Sequence, residues 1–168
     1  MKPASVHAGS RPSDRFDKDR PLNEDRIPFH GAKLLLMAGG RLLTCLRDDF
    51  DHIPFPAHWD LPGGEREGDE TPVDSARREL REEFGIDLPP KRLTGHRFPS
   101  HQDPGIQSWL FHGSLTGDEI AEIRFGDEGQ EWRMMALGEF LSHPFAVPHF
   151  KDWIRRVIDL PPVASEQA

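Results

Sequence analysis

The stretch Thr71–Ile86, TPVDSARRELREEFGI, restricts the fold of this chain more than any other segment. Thr71 is a good N-cap, Pro72 suits the first helical position, and Asp74 stands where a capping box places its acid. At 100° per residue, Val73, Ala76, Leu80 and Phe84 fall within an arc of about 80°. Gly85 ends the run as a C-terminal cap. The spacing therefore predicts a helix with one apolar stripe, which must be buried against another layer. Glu79, Glu82 and Glu83 occupy a neighbouring arc of about 100°, on the border of that stripe. Like charges at i, i+3 and i+4 each cost a helix a few tenths of a kcal/mol, about 0.2–0.5 per pair. Helix stability does not ask for them.

The rest of the chain supplies the layer. Ala32–Met37 and Arg41–Arg47 are apolar runs separated by Ala38-Gly39-Gly40, the pattern of a hairpin. Asp48–Trp59 reads as a loop rich in Asp, His and Pro, and Asp60-Leu61-Pro62-Gly63-Gly64 leads out of it. Strand-like pieces follow at Arg92–Phe98, Ile106–His112 and Glu131–Leu137, and Phe150–Leu160 reads as a second amphipathic helix. Hairpin, helix, strands and final helix predict an α+β fold, a mixed β-sheet between helices. Residues 26–162 form the expected domain. Residues 1–25 hold three Pro and many charges but few large apolar side chains, so a flexible N-terminal arm is expected. Residues 163–168 are expected to fray.

Two readings of the three acids are open from the residues alone. Runs such as RRELREE decorate solvated helix faces, yet of the i,i+4 pairs here only Arg78–Glu82 is of opposite sign. The other reading is a divalent cation supplying the missing positive charge. Hard oxygen ligands suit Mg²⁺, which takes one or two carboxylates together with water and phosphate oxygens. Competing chemistries find less support. Nine histidines invite zinc, but His52, His58, His96 and His101 have no partner Cys and no usual ligand spacing. No G-x-S-x-G elbow is present, Gly63–Gly68 lacks the Lys-Ser/Thr of a P-loop, and Asp48, Asp49 and Asp51 lack the central Gly of an EF-hand.

The segment Gly64, five residues, Glu70, seven residues, then Arg78-Glu79-Leu80-Arg81-Glu82-Glu83-Phe84-Gly85-Ile86 resembles the signature of the Nudix hydrolases. All seven fixed residues match without insertion, a coincidence on the order of 10⁻⁷ at average residue frequencies. The resemblance implies an α/β/α sandwich and hydrolysis of a nucleoside diphosphate joined to a further group. It implies Glu79, Glu82 and Glu83 as metal ligands, Glu70 as auxiliary ligand or base, and Arg78 as the residue that orients or neutralises the acids. Which glutamate is the base varies within the family. Gly63 and Gly64 would border the substrate. Mg²⁺ is the implied cofactor, with Mn²⁺ as substitute. Asp127-Glu128-Gly129-Gln130 resembles the Glu-Gly-Gln segment of MutT-type members, which implies Glu128 as a further ligand, with Asp127 and Glu131 as substitutes.

That second resemblance implies a nucleoside triphosphate cleaved to monophosphate and pyrophosphate. ADP-ribose or another nucleotide sugar is the alternative. A non-catalytic nucleotide sensor is the rival of another class, although such domains usually carry broken signatures. The dinucleoside polyphosphate branch typically uses a downstream Tyr, and this chain has no Tyr. Base stacking needs aromatic faces, for which Trp59, Phe55, Phe98 and Trp109 are candidates. Phe145, in HPFAVP, stands near where MutT-type enzymes hold the base, but Val147 and Pro148 occupy the vicinity of the purine-reading asparagine. A net charge of −8 argues against general nucleic-acid binding. One cysteine, Cys45, excludes an internal disulfide and suits the cytoplasm. No apolar stretch predicts a membrane span, and a homodimer is left open.

Overall fold

The strongest patterning signals become the central layers. A computed structural model describes residues 28–159; the expected arm at 1–25 and the tail at 163–168 lie outside the described residues. Strands β1 (Phe29–Ala38) and β2 (Arg41–Leu46) form the expected hairpin. Strands β3 (Trp59–Asp60) and β4 (Gly63–Glu65) follow the loop, and helix α1 spans Pro72–Phe84. Strands β5 (Thr94–Pro99), β6 (Gln107–Ser114) and β7 (Glu131–Ala136) complete the sheet. The path through it is β3-β2-β1-β6-β5, with β4 beside β1 and β7 beside β2. β1 and β6 run parallel, whereas β1 is antiparallel to β2 and β4, so the sheet is mixed as expected.

Alternation along the strands divides the core in two. Leu34 and Leu36 of β1, Leu43 and Cys45 of β2, and Phe111 of β6 pack with Ala76, Leu80 and Phe84 of α1. Leu35, Leu42 and Leu110 pack on the other face with Phe150, Trp153 and Ile154 of α4 (Pro148–Ile158). Helices thus cover both faces, which is why Leu34-Leu35-Leu36 reads as a continuous apolar run.

Thr71 caps α1 by accepting from Asp74 N at 3.2 Å, and Gly85 closes it with φ of 67° and its N–H on Arg81 O. Instead of completing the capping box, Asp74 lies 3.9 Å from Arg77. Two short helices were not expected: α2 (Gly117–Ala121), with a full Thr116–Glu119 capping box, and α3 (Leu137–Ser142). The expected strand start at Arg92 is instead a 3₁₀ turn over Pro90–Arg92. Helix α4 starts at Pro148, two residues before its apolar pattern, because proline fits a first turn.

Candidate active site

Strand β4 lies beside α1 and brings the glycine pair to the acidic flank. Gly63 has φ of 127°, and a side chain there would run into the Ala32 carbonyl and lie 2.7 Å from Lys33 Cα. At Gly64 a Cβ would sit 2.5 Å from Glu79 Oε1, so the missing side chain makes room for a carboxylate. Gly63 N donates to Glu83 Oε1 at 2.8 Å. These contacts tie Gly64 to an acid fifteen residues later and Gly63 to one twenty residues later.

Arg78 is the cation of this flank. Its guanidinium donates through Nε to Glu70 Oε1, through Nη1 to Glu79 Oε1 at 3.0 Å and Glu82 Oε2 at 3.2 Å, and through Nη2 to Glu65 O at 3.1 Å. The Arg78 hydrogen bonds hold the Glu70 carboxyl below its usual range. Burial pushes Glu79 up, against the pull of Arg78. Burial also pushes Glu83 up to about 8, with Lys33 and the Gly63 N–H opposing and Glu79 and Asp60 adding repulsion. Glu82 is 59% exposed.

The donor chemistry fits a hard dication: carboxylates share one helix flank, and burial disfavours the charged forms of Glu79 and Glu83, which a nearby cation would favour. Yet among the described residues no three acidic, His or Cys side chains already converge on one point. Arg78 engages Glu79 and Glu82, and the Gly63 amide engages Glu83, so the acids are gathered but directed elsewhere. Glu128 comes from the segment before β7 and lines both clefts that meet beside these acids.

Sequence reasoning missed the floor between those clefts. Asp60, with 4% of its side chain exposed, accepts Lys33 Nζ at 3.0 Å and Arg47 Nη1 at 2.8 Å on Oδ2, and Leu61 N at 2.6 Å on Oδ1. Lys33 also donates to Leu61 O and Gly63 O, both at 3.2 Å, which uses all three of its N–H bonds. Burial alone would lower the Lys33 pKa, but the charges of Asp60 and Glu83 raise it. The available signal was Lys33 itself, a charge inside the apolar run Ala32–Met37.

The larger cleft, about 470 Å³, is lined by Gly63, Gly64 and Glu79 together with Phe55, His149 and Trp153. Two expected substrate contacts line neither cleft. Trp59 is 4% exposed and packs in the α4-side core with Arg133 over its ring at 4.2 Å, away from either cleft. Its backbone pairing to Leu46 turns the indole inward. Phe145 is 58% exposed but lines neither cleft; Trp59 N binds its carbonyl and its ring lies against His58. Phe98 is core, whereas Phe55 and Trp109 both line the larger cleft.

The NUDIX domain family profile matches residues 31–157. An uncharacterised Nudix hydrolase of Pseudomonas aeruginosa is 32% identical over 126 residues, covering 65% of this chain and 73% of that protein. An RNA pyrophosphohydrolase of Bartonella henselae is 28% identical over 149 residues, covering 71% and 83%. Among solved structures, a MutT protein from Methanosarcina mazei superposes with a TM-score of 0.63 at 22% identity, covering 80% of this chain and 96% of that one. The chain belongs to the Nudix family and is a Nudix pyrophosphohydrolase. Among the described residues no helix is long and apolar enough to cross a membrane.

Proposed function

We propose that the protein is a Mg²⁺-dependent hydrolase of nucleoside triphosphates, releasing monophosphate and pyrophosphate. The observation that carries this reading is the gathering of Glu79, Glu82 and Glu83 on one helix flank beside Gly63 and Gly64, with Glu79 lining the larger cleft and Glu83 the smaller. Glu128, on the MutT-like segment, borders the same cleft and favours a triphosphate. The triphosphate end of an RNA presents the same phosphate chain, and a relative named an RNA pyrophosphohydrolase makes it a natural member of the substrate panel. ADP-ribose or another nucleotide sugar is the second reading. A cytoplasmic location, suited to the free, buried Cys45, belongs to the same proposal.

In this mechanism Glu79, Glu82, Glu83 and Glu128 would hold the cation, with Glu70 as auxiliary. The cation, when bound, neutralises phosphate oxygens and the leaving pyrophosphate. Gly63 N–H fixes the Glu83 carboxylate through Oε1. Arg78 keeps Glu79 and Glu82 on one side of the helix and ties them to Glu70 and the β4 backbone. Gly64 leaves the space that Glu79 occupies. A carboxylate of this set takes a proton from the attacking water. Arg47 has guanidinium N–H groups beyond those on Asp60 and Pro54 and lines both clefts, which suits a phosphate contact.

The test is hydrolysis, with Mg²⁺ and product identification, of nucleoside triphosphates, triphosphate-ended and capped RNA, dinucleotides and nucleotide sugars. The expected result is pyrophosphate released from a triphosphate, with Glu82→Gln slowing turnover at least about 100-fold. Release of monophosphate and sugar phosphate from ADP-ribose alone would overturn the triphosphate reading. Full activity in Glu82→Gln would remove that residue from the mechanism.

A further inference from the structure

Lys33 is a buried charge that the mechanism above does not use. It stands in the apolar stretch of β1 with 18% of its side chain exposed, opposite Gly63 in the pairing of β1 with β4. It lines both clefts, yet its ammonium is fully engaged, by Asp60 Oδ2 at 3.0 Å and by Leu61 O and Gly63 O, each at 3.2 Å. An ammonium has three N–H bonds, so none is left over for a phosphate oxygen. A substrate contact is therefore a poor account of this residue.

Its partners define another role. Only Leu61 and Pro62 separate β3 from β4, and Leu61, Pro62 and Gly63 are all buried, so their backbone groups need partners within the protein. Leu61 N donates to Asp60 Oδ1 at 2.6 Å, Pro62 has no N–H, and Pro62 O accepts from Leu34 N at 2.8 Å. Leu61 O and Gly63 O accept from Lys33, and Gly63 N donates to Glu83 Oε1 at 2.8 Å. The peptide carrying the Gly63 N–H thus lies between two peptides whose carbonyls share one ammonium. That restraint matters because Gly63 holds φ of 127°, and glycine has the widest backbone freedom of any residue. Without Lys33 both carbonyls lose a buried partner, and the peptides around Gly63 gain by turning toward others, which draws the N–H off Glu83.

We propose that Lys33 is a positioning residue, which clamps the β3–β4 connection so that the Gly63 N–H holds the Glu83 carboxylate in its orientation toward the proposed cation. Asp60 is the anchor of the clamp, since it holds Lys33 on one oxygen and Leu61 N on the other. The inference rests on the reading of Glu83 as a cation ligand, but the clamp acts in the empty protein and is measurable there.

The test compares the full chain with Lys33→Met. In EDTA, ¹H–¹⁵N spectra of the wild type should place the Gly63 amide proton downfield, as a bond to a carboxylate requires, and Glu83→Gln should move it upfield. Lys33→Met should move it the same way although Glu83 is intact. Arg92→Ala is the control: it breaks the Arg92–Glu119 pair outside both clefts and should lower stability without this shift. Calorimetry with Mn²⁺ gives a second readout. Loss of a positive charge alone would tighten dication binding, whereas loss of the Glu83 position is expected to weaken it about 10-fold in Lys33→Met. In hydrolysis of a nucleoside triphosphate, kcat should fall about 10-fold while KM stays within about 2-fold. A raised KM with unchanged kcat would make Lys33 a substrate contact and overturn the proposal. So would an unmoved Gly63 amide, or Mn²⁺ binding that is unchanged or tighter. In the wild type, the Lys33 ammonium should give a slowly exchanging signal with couplings across its hydrogen bonds to the Leu61 and Gly63 carbonyl carbons. Exchange as fast as that of exposed lysines would overturn the clamp even if Lys33→Met failed to fold. Triphosphate hydrolysis with an unmoved Gly63 amide would refute the clamp and leave the enzymatic reading intact. The Gly63 shift and weakened Mn²⁺ binding, without hydrolysis of any panel member by the wild type, would do the reverse.

Discussion

Replacing Asp60 with Ala tests the buried floor of the site. Its Oδ2 accepts from both Lys33 and Arg47, and its Oδ1 accepts from Leu61 N. Removal strands two cations whose side chains are 18% and 27% exposed, together with one backbone N–H. Breaking a buried ion pair from one side costs about 3–5 kcal/mol. Partial access of water to Arg47 points to the lower end, about 3 kcal/mol. With a urea m-value of about 2 kcal/mol/M, the unfolding midpoint should fall by about 1.5 M with m unchanged. Lys33→Met leaves Asp60 paired to Arg47 and orphans the Leu61 and Gly63 carbonyls as Lys33 acceptors, so its cost should be smaller, about 2 kcal/mol. The double variant should cost at least about 1 kcal/mol less than the sum, because the two side chains are in contact. A midpoint shift below about 0.5 M for Asp60→Ala, or strict additivity, would refute the idea that this cluster is a coupled, buried unit.

The two glycines should separate folding from activity. Gly63→Ala meets backbone at a positive φ and should lower thermal stability markedly, whereas Gly64→Ala meets the movable Glu79 carboxylate and should cut kcat with little change in Tm; equal melting losses would contradict this. For Glu83, with a folded pKa pushed up to about 8, the metal-free protein should lose stability as pH rises from the ordinary carboxylate range through 8. Melting curves in EDTA should show that slope reduced in Glu83→Gln, and an identical slope would contradict the assignment. Glu119, held down to about 2 chiefly by its hydrogen bonds to Arg92, should favour the fold above the usual carboxylate pKa and lose that contribution as pH falls toward 2. Urea titrations should therefore show Arg92→Ala narrowing the gap in stability between pH 5 and about 2.5.

The central helix and sheet could be read from the sequence because their signals are local. Thr71, Pro72 and Gly85 mark the bounds of α1, and Val73, Ala76, Leu80 and Phe84 mark its buried stripe. The alternating strands likewise reveal themselves by which neighbours share a face. Lys33, Asp60 and Arg47 lie far apart in sequence and meet only through the pairing of β1, β3 and β4, so their cluster has no local period. Trp59 and Phe145 show the converse difficulty, since aromatic content does not say which side of a strand or turn a ring takes. His149 stands in the first turn of α4, and its relation to His101 depends on two separate connections coming together. Arg78 was anticipated through the family resemblance, with which its i,i+4 relation to Glu82 agrees, but its bonds to Glu70 and the Glu65 carbonyl require the strand to be in place.

Arg78 also balances the acidic flank from within the chain. A guanidinium already spans Glu70, Glu79 and Glu82, so helix and strand can assemble without waiting for an ion from solution. Under the proposed function, a dication would have to draw carboxylate oxygens away from an occupant that is always charged. The side chain that balances these acids within the fold would then also set how tightly they could hold the proposed cation.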